Sequence, residues 1–134
     1  MKLKIAAFAF FVFATIIYNV YGSESEINIC IGFLESYGWD VLPNPTDRAD
    51  VNIPKVFDRV YENYNEIQKT AGLDLLPYCG QSGTRYSFVV TNYPQDVGET
   101  VYANVICIDG KPVAGDIMTV SLYGFMHALN KTTP

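Results

Sequence analysis

Histidine is nearly absent from this chain: among 134 residues His127 is the only one. Cysteine is scarce too, with three scattered residues, Cys30, Cys79 and Cys107. One histidine and three distant thiols offer no zinc-ligand spacing, and no acidic run resembles a calcium loop, so no metal is expected. Glycine-rich phosphate loops are missing, which removes the usual nucleotide cofactors, and no other cofactor is expected. No cluster of Lys and Arg is present, so a nucleic-acid partner has no electrostatic footprint to bind. Acidic residues are spread along the chain without a pair that could be assigned to acid/base work on a glycosidic bond.

Long apolar runs are limited to the head of the chain. Met1-Lys-Leu-Lys4 is positive, the stretch from Ile5 to Tyr18 is uncharged and apolar, and Ser23-Glu24-Ser25-Glu26 turns polar. That is the layout of a secretory signal peptide over residues 1–22. The competing reading is an uncleaved membrane anchor, since a span needs about 20 apolar residues. Either way, residues 23–134 form one domain outside the cytoplasm, and residues 1–22 are its only membrane contact. Without Lys2 and Lys4 the domain keeps 7 basic against 14 acidic residues, a net charge of −7. Such a surface favours solubility and disfavours anionic membranes.

The odd cysteine count leaves two arrangements open, one bridge with a free thiol or three buried reduced thiols.

Ser23 and Glu26 are spaced as a capping box. Ile27, Cys30, Ile31, Leu34 and Tyr37 then recur at helical spacing, and Gly38 suits the left-handed end of that helix. Trp39 to Leu42 reads as a short strand, broken by Pro43 and Pro45, after which a polar loop and a short extended piece, Val51-Asn-Ile53, held so by the following proline, are expected. Pro54 opens a second helix whose apolar stripe is Phe57, Val60, Tyr61, Tyr64, Ile67 and Ala71, ending at Gly72. Beyond an irregular link the period changes. Arg85 to Asn92, Thr100 to Ile108 and Lys111 to Leu122 read as strands, and Gly124 to Leu129 as a short closing helix. Asp109-Gly110 is a strong two-residue hairpin signal. It pairs residues whose numbers sum to 219, so Tyr102, Ile106, Val113 and Ile117 would share the face packed by a helix. The other face, with Val101, Ala103, Val105, Asp116, Met118 and Val120, is also largely apolar, and is either covered or a binding surface. Together these elements predict an α+β domain, two helices followed by a three-stranded antiparallel meander.

Tyrosine is what the chain has in excess, ten in all. Tyrosine joins an apolar body to a polar tip, which suits both small cores and recognition surfaces. Tyr93 and Tyr123 sit at element ends and are candidate ligand contacts together with His127. Arg85 and Asp116 are charges inside apolar strands. Arginine there can snorkel to the edge, whereas a covered Asp116 requires a hydrogen-bond partner. Cys79 or Ser82 with His127 would be the material for a small hydrolase if the fold brought them together, although Gly80-Gln-Ser82-Gly83 is one residue short of a nucleophile elbow. Asn130-Lys-Thr132 is a glycosylation sequon.

Three stretches carry a family resemblance: Phe33-Leu-Glu-Ser-Tyr-Gly-Trp39, Ile53 to Lys69 through Phe57-Asp-Arg-Val-Tyr61, and the pair Gly115-Asp116 with Gly124-Phe-Met-His127. By these the chain, over about residues 30–129, resembles the bacterial domain-of-unknown-function family 4830. The resemblance implies export, one domain and a bacterial envelope setting, and it implies no reaction. Cys79 stands where the family pattern leads one to expect a basic residue, so no role for it carries over. The reading is a non-enzymatic binding domain outside the cytoplasm whose partner is another envelope protein or a cell-wall component, with the small hydrolase as the alternative.

Overall fold

The computed structural model describes residues 24–131. The segment read as a signal peptide, the Ser23 cap and Thr132 of the sequon lie outside the described residues. Helix α1 covers residues 24–36 and buries Cys30 and Leu34 completely. Helix α2 runs Arg59–Thr70. Both end the same way. Trp39 N–H donates to Leu34 O and Gly38 N–H to Glu35 O; Leu73 N–H donates to Gln68 O and Gly72 N–H to Lys69 O. These are Schellman closures, and they need the positive φ of Gly38 (88°) and Gly72 (80°).

Helix α2 begins later than the proline suggested. Asp58 is its cap, its side chain accepting from Tyr61 N–H at 2.9 Å. Pro54 lies in the irregular segment before the helix, because Asp58 satisfies free N–H groups that a proline at the first turn only avoids. Val60, expected in the apolar stripe, is 73% exposed. The buried α2 positions are instead polar. Asn65 accepts Leu75 N–H at 2.7 Å and donates to Asp74 at 2.9 Å, and Gln68 accepts Gly115 N–H at 2.8 Å.

The sheet has five antiparallel strands in sequence order, not three: β1 Asp47–Asn52, β2 Ser82–Val89, β3 Tyr102–Ile108, β4 Lys111–Met118 and β5 Met126–His127. The expected polar loop after Pro45 contains β1. It is an edge strand, and its ladder to β2 is made by the backbone, so it needs no continuous apolar face. The expected closing helix is β5, a two-residue strand antiparallel to β4. Thus one strand lies between the helices, and the chain is α+β with a meander.

The Asp109-Gly110 hairpin forms as expected, but its register holds only for Ile108 with Lys111 and Cys107 with Pro112. A β-bulge between Ile106 and Cys107 slides every later pair, so Ala103 faces Ile117 and Asn104 faces Asp116. The expected grouping of Tyr102, Ile106 and Val113 with Ile117 is therefore split. A one-residue slip moves a side chain to the other face.

The α1 side carries the main core: Cys30, Leu34 and Trp39 against Tyr86, Phe88, Ala103, Val105, Cys107, Ile117 and Leu129. On the α2 side, Ile53, Leu75, Ile106, Ile108, Val113 and Ala114 form a second core that fills one end only. The other end of that side stays open as a groove.

Candidate functional site: a groove between α2 and the sheet

The groove holds about 750 Å³, within the size of ordinary ligand sites. Val60, Tyr61, Tyr64 and Ile67 of α2 form one wall, and Ile106, Met118, Val120 and Met126 the other. Thr46 and Asp47 mark its far end at β1 and Met126 its near end at β5. Strands stand about 4.8 Å apart, so the groove crosses roughly 19 Å of sheet.

Its floor is a polar chain inside this apolar frame. Ser87 Oγ donates to Asn104 Oδ1 at 2.6 Å, and Asn104 Nδ2 donates to Asp116 Oδ1 at 2.9 Å. Tyr64 OH donates to Asp116 Oδ2 at 2.7 Å. The bulge in the β3–β4 ladder is what turns Asp116 to this side, opposite Asn104 and beneath Tyr64. Asp116 is 2% exposed. Burial raises its pKa above the usual carboxylate value, and the hydrogen bonds from Tyr64 and Asn104 only partly offset this. The Tyr64 phenol is held well above its ordinary value by the same burial and by the Asp116 charge. Arg85 also lines the groove, but its guanidinium pairs with Asp47 at 3.2 Å. Among the described residues, Asp116 has no ion-pair partner.

Replacing Asp116 with Asn should therefore change how stability depends on pH. A carboxyl with a raised folded pKa stabilises the fold below its unfolded value, and that contribution is lost as pH rises through the folded value. The native chain should gain stability as the pH falls from neutral toward the ordinary carboxylate pKa, relative to Asp116→Asn. The amide can still accept from Asn104 and donate to the Tyr64 oxygen, so the variant should fold and be at least as stable at neutral pH. Urea unfolding of both proteins across this pH range measures the difference.

The five residues singled out from sequence fall into three places. Arg85 and Asp116 share the groove. Tyr93 and His127 lie together against the α1-side core. Tyr93 OH is 3.0 Å from His127 Nε2, and the Tyr93 ring stacks on Trp39 at 5.7 Å and on Phe125 at 5.5 Å. His127 Nδ1 is 2.7 Å from Ala128 O, so this nitrogen carries the proton and Nε2 accepts from tyrosine. Tyr123 is apart from both, 95% exposed on the loop before β5. Ser82 opens β2 and bonds to Asn52 at 2.6 Å, three strand spacings, about 14 Å, from β5. Cys79 caps the short 3₁₀ turn Leu76–Tyr78. The hydrogen-bond partners of His127 are Tyr93 and Ala128.

Tyr64, Ser87 and Asn104 were not singled out from sequence. Only the tyrosine excess and the requirement that a covered Asp116 find a donor pointed toward them. Among the described residues, no cluster of three or more His, Cys, Asp or Glu could hold a metal ion, and no helix is long and apolar enough to cross a membrane.

Fold and groove thus define a small α+β domain with a ligand-sized groove that carries a buried carboxylate. The model of a domain of unknown function, DUF4830, matches residues 33–117, and the chain belongs to that family. The match takes in Tyr64, Arg85, Ser87, Asn104 and Asp116. No curated protein and no solved structure matches the chain.

Proposed function

We propose that this protein is a non-enzymatic binding domain of the bacterial envelope, carried out of the cytoplasm by residues 1–22, and that the α2–sheet groove is its binding site. The observation that carries the reading is the groove itself, with apolar walls around an acidic, hydrogen-bonded floor. A partner with an apolar body and a cationic amine matches it. The amine adds an ion-pair partner to Asp116, and the apolar part covers Val60, Met118 and Val120. A width of roughly 19 Å accommodates about five or six extended residues, so the fitting occupant is a short apolar segment of another envelope protein presenting a lysine. The acidic surface of the domain favours such a partner and speeds its approach.

The test is an NMR titration with an apolar hexapeptide carrying one central lysine and with its glutamate counterpart. The lysine peptide should shift the amides of Ser87, Asn104 and Asp116, and the glutamate peptide should not. Val60→Ser, at an exposed rim position, should weaken binding several-fold while unfolding free energy stays within about 0.5 kcal/mol of the native protein. Equal shifts from both peptides, or none in the groove, would overturn the proposal.

A further inference from the structure

Cys30 on α1 and Cys107 on β3 are both buried, at 0% and 2% exposure, and are 77 residues apart in sequence. Their sulfurs stand 2.9 Å from each other in the main core. Each is the other's hydrogen-bond partner, in surroundings made of Leu34, Trp39, Val105 and Ile117. A disulfide needs an S–S distance of about 2.05 Å, so closing the pair asks for about 1 Å of side-chain movement. Cys79 lies elsewhere, partly exposed beside Lys55 and Leu76. The odd count therefore resolves into one pair and one leftover thiol.

We infer that Cys30 and Cys107 form a structural disulfide that ties α1 to the centre of the sheet, and that Cys79 remains a free thiol. The inference rests on the extracytoplasmic placement and is independent of what the groove binds. The chemistry is thiol–disulfide exchange with a disulfide-bearing oxidant such as oxidised glutathione or a thiol oxidoreductase. A thiolate of one cysteine attacks the oxidant to give a mixed disulfide and release one reduced thiol. The second cysteine displaces the other half. Both cysteines together lose two protons and two electrons, and the oxidant leaves as two thiols. Once the domain is folded, the hydrogen bond to Cys107 and burial push the Cys30 thiol far above the usual value. The attacking thiolate is then scarce and shielded, so the bridge is made during folding and resists reductant afterwards.

The experiment uses the full chain and its Cys79→Ser variant, refolded in a glutathione buffer poised like an extracytoplasmic compartment, then denatured and treated with a maleimide mass tag. The native chain should accept one tag, and three after reduction in denaturant. Cys79→Ser should accept none before reduction and two after it. Peptide mapping should recover the segments around Cys30 and Cys107 joined, lighter by two hydrogens than the separate thiols. Two tags on refolded Cys79→Ser, or a bridge that includes Cys79, would overturn the pairing. The same tagging on chain drawn directly from the host separates pairing from location: bridged after refolding but reduced in the cell would leave the pairing intact and remove the extracytoplasmic placement.

Discussion

Replacing Trp39 with alanine is expected to remove about 3–5 kcal/mol of this domain's stability. The indole is 1% exposed, and its N–H donates to Leu129 O, which fastens the chain after β5 to the end of α1. It also stacks on Tyr93, and the ammonium of Lys131 lies 4.9 Å from its ring centre. Truncation leaves a cavity between α1 and the sheet and a buried carbonyl without its donor. Large aromatic-to-alanine changes of this kind cost about 3–5 kcal/mol, against about 5–15 kcal/mol for a whole domain. Guanidinium unfolding followed by far-ultraviolet circular dichroism is the measurement, because the substitution deletes the single tryptophan as a fluorescent reporter. Trp39→Phe keeps a ring against Tyr93 and loses the hydrogen bond, so it should fall between the two, about 1–3 kcal/mol below the native chain. An alanine variant within about 1 kcal/mol of native would show that Trp39 does not hold the two ends together.

Oxidation of Cys30 and Cys107 should produce a change of similar size. The bridge closes a loop of 77 residues, and the chain-entropy relation then gives about 4.5 kcal/mol through loss of freedom in the unfolded state. Cys79→Ser isolates the effect by removing the third thiol. Its unfolding curves with the bridge intact and with the bridge reduced should be well separated, the reduced form unfolding at lower denaturant. Coincident curves would contradict this.

Much of the frame was legible in the sequence, for reasons that can be named. The ends of both helices were readable because Gly38 and Gly72 supply a backbone conformation that few other residues take. The three central strands were readable from alternation, with Tyr86 and Phe88 turned to one core. The edges were not. Strand β1 is polar because one of its sides has no neighbour, and β5 is too short to show a period. The interior of α2 was hidden for another reason. Asn65 and Gln68 are buried because they bond to the backbone of Leu75 and Gly115, and periodicity counts only apolar residues.

The site depended on a feature that hairpin rules do not supply. Asp109-Gly110 specifies a turn, and a turn specifies a register only until the ladder slips. The bulge at Ile106/Cys107 comes one pair after the turn is complete. From that point the partners change, Ile117 joins the α1-side core, and Asp116 comes to lie beside Asn104 under Tyr64. Asp116 was conspicuous in the sequence as a charge in an apolar strand, and Arg85 likewise. What was absent was any local sign that Tyr64, 52 residues earlier, would meet Asp116.

The central claim is that the buried carboxylate of Asp116 makes the groove a site for a cationic, apolar partner. Calorimetric titration of the lysine hexapeptide into native protein and into Asp116→Asn, at neutral pH and again below the ordinary carboxylate pKa, tests it most directly. Native affinity should fall as acid neutralises Asp116, and the variant should bind about tenfold or more weakly at neutral pH with little pH dependence, as expected for loss of one charge-assisted hydrogen bond. Equal affinity of the two proteins at neutral pH, or no measurable binding to either, would contradict the account.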